Sequence, residues 1–247
     1  MLARWPGLSE RLGPLGLAAL PTPVMHLDKL GRAAGHPGLY LKCDHLTSGL
    51  YGGNKVRKLE FLLGDALRRG ARTLVTMGGT GSNHLLATAL HGRAHGLRTG
   101  GGVFPQPENE KVRRNLAANR GAGTELVRVP SKYLLPAGVA EALARVRLRE
   151  GRAPVLIPGG GSSPLGALGF VNAGLELAAQ VRSGVLPEPE AVVPDHRRAV
   201  VAKRRPAEPR VAAPVAAAMH AVRACGGATG IVRRRLRVVA GCRVIRT

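Results

Sequence analysis

The sequence Gly-Gly-Asn-Lys-Val-Arg-Lys-Leu-Glu, residues 52–60, places a lysine in a glycine-rich approach to a long amphipathic segment. Its two glycines let the backbone come close to a ligand. A lysine is a poor nucleophile at neutral pH unless burial or a neighbouring positive charge lowers its pKa, and Arg57 and Lys58 supply such charge. Lys55 is therefore a candidate nucleophile. The alternative, which this stretch alone favours, is a solvated basic start of a helix.

Apolar stretches of strand length alternate with amphipathic stretches over most of the chain. The predicted strands cover residues 39–42, 73–77, 101–104, 124–129 and 154–157. The predicted helices cover residues 60–69, 83–95, 111–119, 136–149 and 165–182. This alternation is typical of an open parallel sheet with helices on both faces, and it predicts an α/β fold.

Two further glycine-rich stretches, residues 78–84 and 158–169, each follow a predicted strand and open a predicted helix. In residues 78–84 the backbone N–H groups at the helix start could bind an anion, although this stretch is neither a Walker sequence nor a dinucleotide-binding fingerprint. Ser82 and Asn83 add side-chain donors, or alternatively serve only as the N-cap. The three glycine-rich turns would converge on one crevice, in which His84 is a candidate for proton transfer.

The composition limits the class of protein. With 247 residues, of which 45% are hydrophobic, the chain can form one large domain or two small ones. It has no apolar run of the ~18 residues that a transmembrane helix needs, so we expect no membrane contact. The three cysteines, Cys43, Cys225 and Cys242, have neither a disulfide pattern nor metal-ligand spacing. We therefore expect no metal and a reducing, cytoplasmic location.

Residues 194–247 differ from the rest of the chain. They contain 13 of the 37 Lys and Arg residues but 2 of the 15 acidic residues, in a chain whose net charge is +22. They have no aromatic residue and one leucine, so they cannot bury enough apolar surface to offset the entropy of ordering. We expect this basic tail to be disordered or non-native.

Several motifs occur in an order and at spacings that resemble a known family. Residues 52–60, 81–84 (Gly-Ser-Asn-His) and 157–169 (Ile-Pro-Gly-Gly-Gly-Ser-Ser-Pro-Leu-Gly-Ala-Leu-Gly) look like the D-cysteine desulfhydrase and 1-aminocyclopropane-1-carboxylate (ACC) deaminase family. Residues 21–24 and 41–44 are similar to the family's opening. Members of this family are pyridoxal 5'-phosphate (PLP) enzymes with the fold of the tryptophan synthase β-subunit, known as fold type II.

The resemblance covers about residues 15–193 and implies two open parallel-sheet domains with the cofactor between them. Residues 1–49 and 156–193 would belong to a large PLP-binding domain, which we expect to be incomplete. Residues 50–155 would form the small domain. The resemblance also implies a small amino-acid substrate and a homodimer.

The resemblance assigns cofactor contacts to four residues. Lys55 would bind PLP covalently through its amine, be displaced by the substrate amine, and then move protons at Cα. Asn83 would bond the ring hydroxyl of the cofactor, and Lys58 would help hold its phosphate. Asn54 would be a further cofactor contact.

The resemblance also assigns catalytic roles to Lys55, Ser82 and His84. Ser82 and His84 would lie beside the substrate carboxylate or the reacting carbon. With a D-cysteine-like substrate, loss of the β-thiolate would lead to pyruvate, ammonia and sulfide. Deaminases of the family tend to have Gln where this chain has His84, so His84 favours desulfhydrase chemistry. Ring opening of the ACC deaminase type is the alternative.

From about residue 194 the sequence departs from the family, which there has a Thr-Gly-Gly-type loop that binds the cofactor phosphate through backbone amides. We expect the tail to be translated out of frame, because Asp195–Arg198 could be encoded by bases that read Thr-Thr-Gly-Gly in another frame. A divergent tail and a truncated paralogue are the alternatives. We therefore expect this chain to bind PLP weakly and to have low or no activity.

A second class of function is nucleic-acid binding through the basic tail. The run Arg233–Arg235 together with Arg237 favours it. The lack of aromatic residues there and of recognised motifs argues against it, so we do not expect a nucleic-acid partner.

Overall fold

The computed structural model describes residues 6–194 and 199–202. Its helices are α1 (Pro6–Leu12), α2 (Asp28–Ala33), α3 (Asn54–Arg68), α4 (Asn83–Ala94), α5 (Glu110–Gly121), α6 (Leu135–Glu150) and α7 (Pro164–Arg182). Its strands are β1 (Val24–His26), β2 (Leu39–Lys42), β3 (Thr73–Gly79), β4 (Arg98–Phe104), β5 (Glu125–Arg128), β6 (Val155–Leu156), β7 (Ala191–Pro194) and β8 (Ala199–Ala202).

A parallel sheet forms the centre of the described region, with the strand order β5-β4-β3-β6. The first four residues of β3 are all buried, as expected for a strand that is covered on both faces. Helix α6 packs against one face through Val139, Ala142 and Val146. Helices α3 and α4 contribute to a second apolar cluster that includes Leu74 and Ile157. The α/β fold predicted from the alternating pattern is confirmed.

A second sheet has the order β1-β2-β8-β7, and its neighbouring strands are antiparallel. This differs from the expected second parallel sheet. The connection between β7 and β8 is short, and a short connection favours antiparallel neighbours because a parallel pair needs a long crossover. The division into domains at residues 50 and 156 stays a prediction.

Most of the basic tail lies outside the described residues. Residues 199–202 form β8, which pairs with β2 from Leu39↔Ala202 to Lys42↔Ala199. Residues 195–198 and 203–247 are not described, so the predictions of a changed reading frame, of disorder and of nucleic-acid binding through the tail are not tested.

Helix α3 begins at Asn54, earlier than the predicted start at residue 60. Gly53 precedes it with a φ of 128°, a conformation that residues with a side chain rarely adopt. The alternative interpretation of this stretch was a solvated basic start of a helix. In the fold Arg57 and Lys58 are 1% and 6% exposed, and Lys55 lies in the first turn of the helix.

Candidate active site

Lys55 and Lys58 lie about one turn apart at the start of α3. Lys55 is half-buried. The Nζ atom of Lys58 lies 3.5 Å from Ser162 Oγ and 5.2 Å from the centre of the Phe170 ring. The beginning of this helix therefore brings two cations next to the segment that follows β6.

His84 lies in the first turn of α4, close to both lysines. Its Nε2 atom is 3.1 Å from Thr76 Oγ1, whereas Nδ1 makes no hydrogen bond of ordinary geometry with the described residues. Burial lowers the pKa of His84 to about 3, and the positive charges of Lys55 and Lys58 lower it further in the same direction. A hydrogen bond with the backbone of Pro158 raises this pKa, but its effect is the smallest of the four. The imidazole is therefore neutral at neutral pH and acts as a hydrogen-bonding group.

The turn Gly159–Gly161 passes next to these side chains. Gly160 and Gly161 have φ values of 66° and 64°, in the left-handed region that favours glycine. A Cβ atom on Gly161 would lie 3.3 Å from Lys58 Cδ and 3.5 Å from His84 Cε1. The three glycine-rich stretches therefore meet where Lys58, His84 and Gly161 come together.

Ser82 and Asn83 mark the start of α4. Ser82 is the N-cap, and its Oγ accepts a hydrogen bond of 3.3 Å from the amide of Leu85. The Oδ1 atom of Asn83 accepts one of 2.8 Å from Asn115 Nδ2. That same Nδ2 donates to the carbonyl oxygen of Gly81 at 3.0 Å. The loop before α4 is thus held by a side chain of α5.

A cavity of about 400 Å³ lies beside Asn83, between α4 and α5. Its wall is mainly apolar and has two cationic groups at α5. Besides Asn83, the lining residues are Tyr51, Leu86, Leu90, Lys111, Arg114, Asn115 and Ala118. Lys55, Lys58 and His84 do not line it.

Arg57 belongs to a buried ionic cluster. Its guanidinium lies 2.8 Å from Asp44 Oδ1 and 2.9 Å from Glu176 Oε2, and Lys42 also pairs with Glu176. Although burial opposes it, pairing with Arg57 and Lys42 lowers the pKa of Glu176. The charge of Arg57 is therefore balanced by buried carboxylates, whereas the sequence interpretation counted it as a positive charge near Lys55.

Three residues near the site were not found from the sequence: Thr76, Gln106 and Asn115. Thr76 contacts His84, and Gln106 Oε1 accepts a hydrogen bond of 2.9 Å from the amide of Gly81. Asn115 is 3% exposed. Its position three residues after Val112 on α5, on the buried side of the helix, is the signal that could have identified it.

Within residues 6–194 and 199–202, no cluster of His, Cys, Asp and Glu side chains could hold a metal ion. In the same part of the chain, no helix combines the length and the apolar character that are needed to cross a membrane.

Comparison with known proteins identifies the family. A putative ACC deaminase of Pyrococcus abyssi (strain GE5 / Orsay) is 38% identical over 177 residues, which cover 71% of this chain and 52% of that protein. The D-cysteine desulfhydrase of Klebsiella pneumoniae subsp. pneumoniae is 36% identical over 179 residues, or 71% of this chain and 54% of that protein. A crystal structure of an ACC deaminase homologue aligns with a TM-score of 0.63 and 37% identity, covering 70% of this chain and 53% of that one.

The chain spans about half the length of the curated relatives it matches. The family model described as "Pyridoxal-phosphate dependent enzyme" matches residues 15–194. This range contains the three glycine-rich stretches, and the match confirms the family that they predicted. The chain belongs to the family of pyridoxal-phosphate dependent enzymes.

Proposed function

We propose that this chain binds PLP weakly through Lys55 and acts, with low activity, as a lyase or deaminase on a small amino acid, with D-cysteine as the favoured substrate type. The products would be pyruvate, ammonia and sulfide. The observation that carries the proposal is the meeting of Lys55, Lys58 and neutral His84 beside the turn Gly159–Gly161. The family match supports the cofactor, and the roles of individual residues and the substrate are inferences.

The residues at this place suit PLP. Lys55 provides an amine, and Lys58 provides a buried cation for the cofactor phosphate. Gly161 has no side chain next to His84, where an added Cβ would lie 3.5 Å from His84 Cε1. A cation and an amine beside a stretch of backbone without a side chain match a phosphorylated aromatic aldehyde.

PLP, when bound, supplies an electron sink for the negative charge that develops at the substrate Cα. Lys55 holds the cofactor before the reaction, and its released amine takes the Cα proton. Lys58 and the amide of Asn54 hold and orient the cofactor. Asn83 directs its amide toward the ring oxygen.

Ser82 and His84 act at the substrate. Ser82 uses one lone pair as the helix cap, so its hydroxyl proton remains available to a substrate carboxylate. His84 is held by Thr76 and is neutral, so it orients the substrate side chain by a hydrogen bond. Because its pKa lies near 3, His84 does not serve as a cationic acid at neutral pH.

A second candidate is ACC deaminase chemistry, which the name of the Pyrococcus abyssi relative and the crystal structure of an ACC deaminase homologue support. In that reaction a ring bond of the substrate opens and no sulfide forms. His84 favours D-cysteine, because the deaminases resembled by the sequence tend to have Gln there.

The two candidates separate in one assay. The full chain is supplied with PLP and either D-cysteine or ACC, and ammonia and sulfide are measured. Equal release of ammonia and sulfide from D-cysteine, lost in Lys55→Arg, supports the proposal. Ammonia from ACC alone supports the second candidate. No Lys55-dependent ammonia from either substrate contradicts both.

A further inference from the structure

At the start of α4, the side-chain amides of two asparagines from different helices are hydrogen-bonded to each other. Asn115 of α5 is 3% exposed, and its Nδ2 donates to Gly81 O at 3.0 Å and to Asn83 Oδ1 at 2.8 Å. We propose that Asn115 is a positioning residue that fixes the orientation of the Asn83 amide, so that Asn83 presents its amino group as a donor. The proposal rests on the proposed function, in which Asn83 contacts the ring oxygen of PLP.

The orientation of both side-chain amides follows from the backbone carbonyl of Gly81. The carbonyl of Gly81 can only accept a hydrogen bond, so the end of Asn115 that faces it must be the NH₂ group. This group has two protons, and the second is directed at Asn83. Asn83 must therefore turn its carbonyl oxygen toward Asn115, which leaves its own NH₂ group on the opposite side. A backbone carbonyl thus sets the direction of two side chains in turn.

Two neighbouring contacts bear on this arrangement. Asn119, which is fully buried, donates from Nδ2 to the backbone oxygen of Asn115 at 2.8 Å and so leaves the Asn115 side-chain amide to Gly81 and Asn83. On the other side of the loop, Gln106 accepts from the amide of Gly81 at 2.9 Å. Gly81 is therefore held through both its N–H group and its carbonyl, and the loop gives Asn115 a fixed acceptor.

The donor group of Asn83 is the part left for a ligand. Among the residues that the structure describes, its NH₂ group donates to no protein acceptor. A fixed donor binds an oxygen that carries negative charge better than a freely turning amide, because no orientation has to be selected on binding. The ring oxygen of PLP is such an acceptor.

The test uses Asn115→Leu, which keeps the branching of the side chain and removes both hydrogen bonds. Asn119→Leu is the matched control, because it is also a buried asparagine of α5 but does not contact Asn83. We expect the dissociation constant for PLP to rise about tenfold in Asn115→Leu and to stay within about twofold in Asn119→Leu, as for loss of one hydrogen bond to a charged acceptor.

A double-mutant cycle shows whether Asn115 acts through Asn83. If it does, adding Asn115→Leu to Asn83→Ala weakens PLP binding no further than Asn83→Ala alone. Additive losses, or an equal loss in Asn119→Leu, would overturn the positioning role. If Asn115→Leu does not fold, Asn115→Ser replaces it in the same cycle.

A measurement without cofactor tests the orientation itself. In the NMR spectrum of the PLP-free chain, we expect the side-chain NH₂ protons of Asn115 to be protected from exchange with water and those of Asn83 to exchange rapidly. Protected protons on Asn83 would overturn the inference. If wild-type protein formed no Lys55 adduct with PLP, the proposed function would fail while this exchange experiment still decided the orientation.

Discussion

Gly160 and Gly161 have similar backbone conformations, but an added side chain would meet different neighbours at the two positions. Both residues have a φ near 65° (66° and 64°), so an alanine at either position costs about 1–2 kcal/mol of folding free energy. At Gly161 the added Cβ would also lie 3.1 Å from Leu62 Cδ1 and 3.3 Å from Lys58 Cδ, whereas at Gly160 the nearest atom is Ser162 Oγ at 3.7 Å. Comparing alanine variants at the two glycines therefore distinguishes the effect of backbone strain, which both share, from the effect of crowding the site, which only Gly161 has.

We predict that Gly161→Ala weakens PLP binding about tenfold, because the added methyl group moves Lys58 by a few tenths of an ångström. A tenfold change corresponds to a loss of roughly 1.4 kcal/mol of binding free energy. Gly160→Ala should bind PLP nearly as wild type. Denaturant unfolding and PLP titration of both variants make the comparison. Equal affinities in the two variants would show that Gly161 does not adjoin the cofactor.

His84 makes stability depend on pH. Its pKa is lowered from 6.5 to about 3 in the fold, so between these values the unfolded chain binds a proton that the folded chain does not. Stability is therefore lost as the pH falls below 6.5. Between pH 7 and pH 5 we predict that wild type loses about 2 kcal/mol more unfolding free energy than His84→Gln, which cannot titrate. Equal losses in urea unfolding would contradict the buried, neutral state of His84.

At the scale of elements, the buried ionic cluster ties together β2, α3, α7 and the short helical turn that contains Asp44. Arg57, Asp44 and Glu176 are at most 9% exposed at their side chains. Because Gly169 of α7 lies against the backbone of Arg57, the cluster and the close helix contact fix the first turn of α3. The cluster thus holds the segment that carries Lys55.

We predict that Arg57→Leu lowers the unfolding free energy by about 3–5 kcal/mol, because it leaves carboxylates buried without their main partner. Arg145→Leu is the control. Arg145 pairs with Glu141 at the surface, and its loss should cost less than about 1 kcal/mol. Similar effects in the two variants, measured by denaturant unfolding, would mean that the cluster does not stabilise the fold.

Most helices and strands were predictable from the sequence, and the exceptions have physical causes. The beginning of α3 was placed too late because Arg57 and Lys58 look solvated as single residues, whereas ion pairs allow Arg57 to be buried. Asn115 was missed because its partners, Gly81 and Asn83, are distant in sequence. Ser82, Asn83 and His84 could be found since the glycine-rich stretch, the strand before it and the helix after it are all local signals.

At the scale of the whole molecule, periodicity predicted the parallel sheet, but it did not predict how β1, β2, β7 and β8 pair. Their antiparallel order depends on which distant segments meet, and short strands such as Val24–His26 carry little pattern. The family could be identified from motifs that cover a small part of the chain. The substrate could not, because it depends on a few side chains whose neighbours are set by the tertiary fold.

The central claim is that Lys55 is the residue that binds PLP. The most direct test is to incubate the full chain with PLP, reduce it with borohydride, digest it and locate the pyridoxyl group by mass spectrometry. We predict that the label lies on the peptide containing Lys55, that Lys55→Arg abolishes it, and that Lys58→Arg weakens PLP binding but leaves the label on Lys55. A label spread over surface lysines, or one that persists at the same level in Lys55→Arg, would contradict the account.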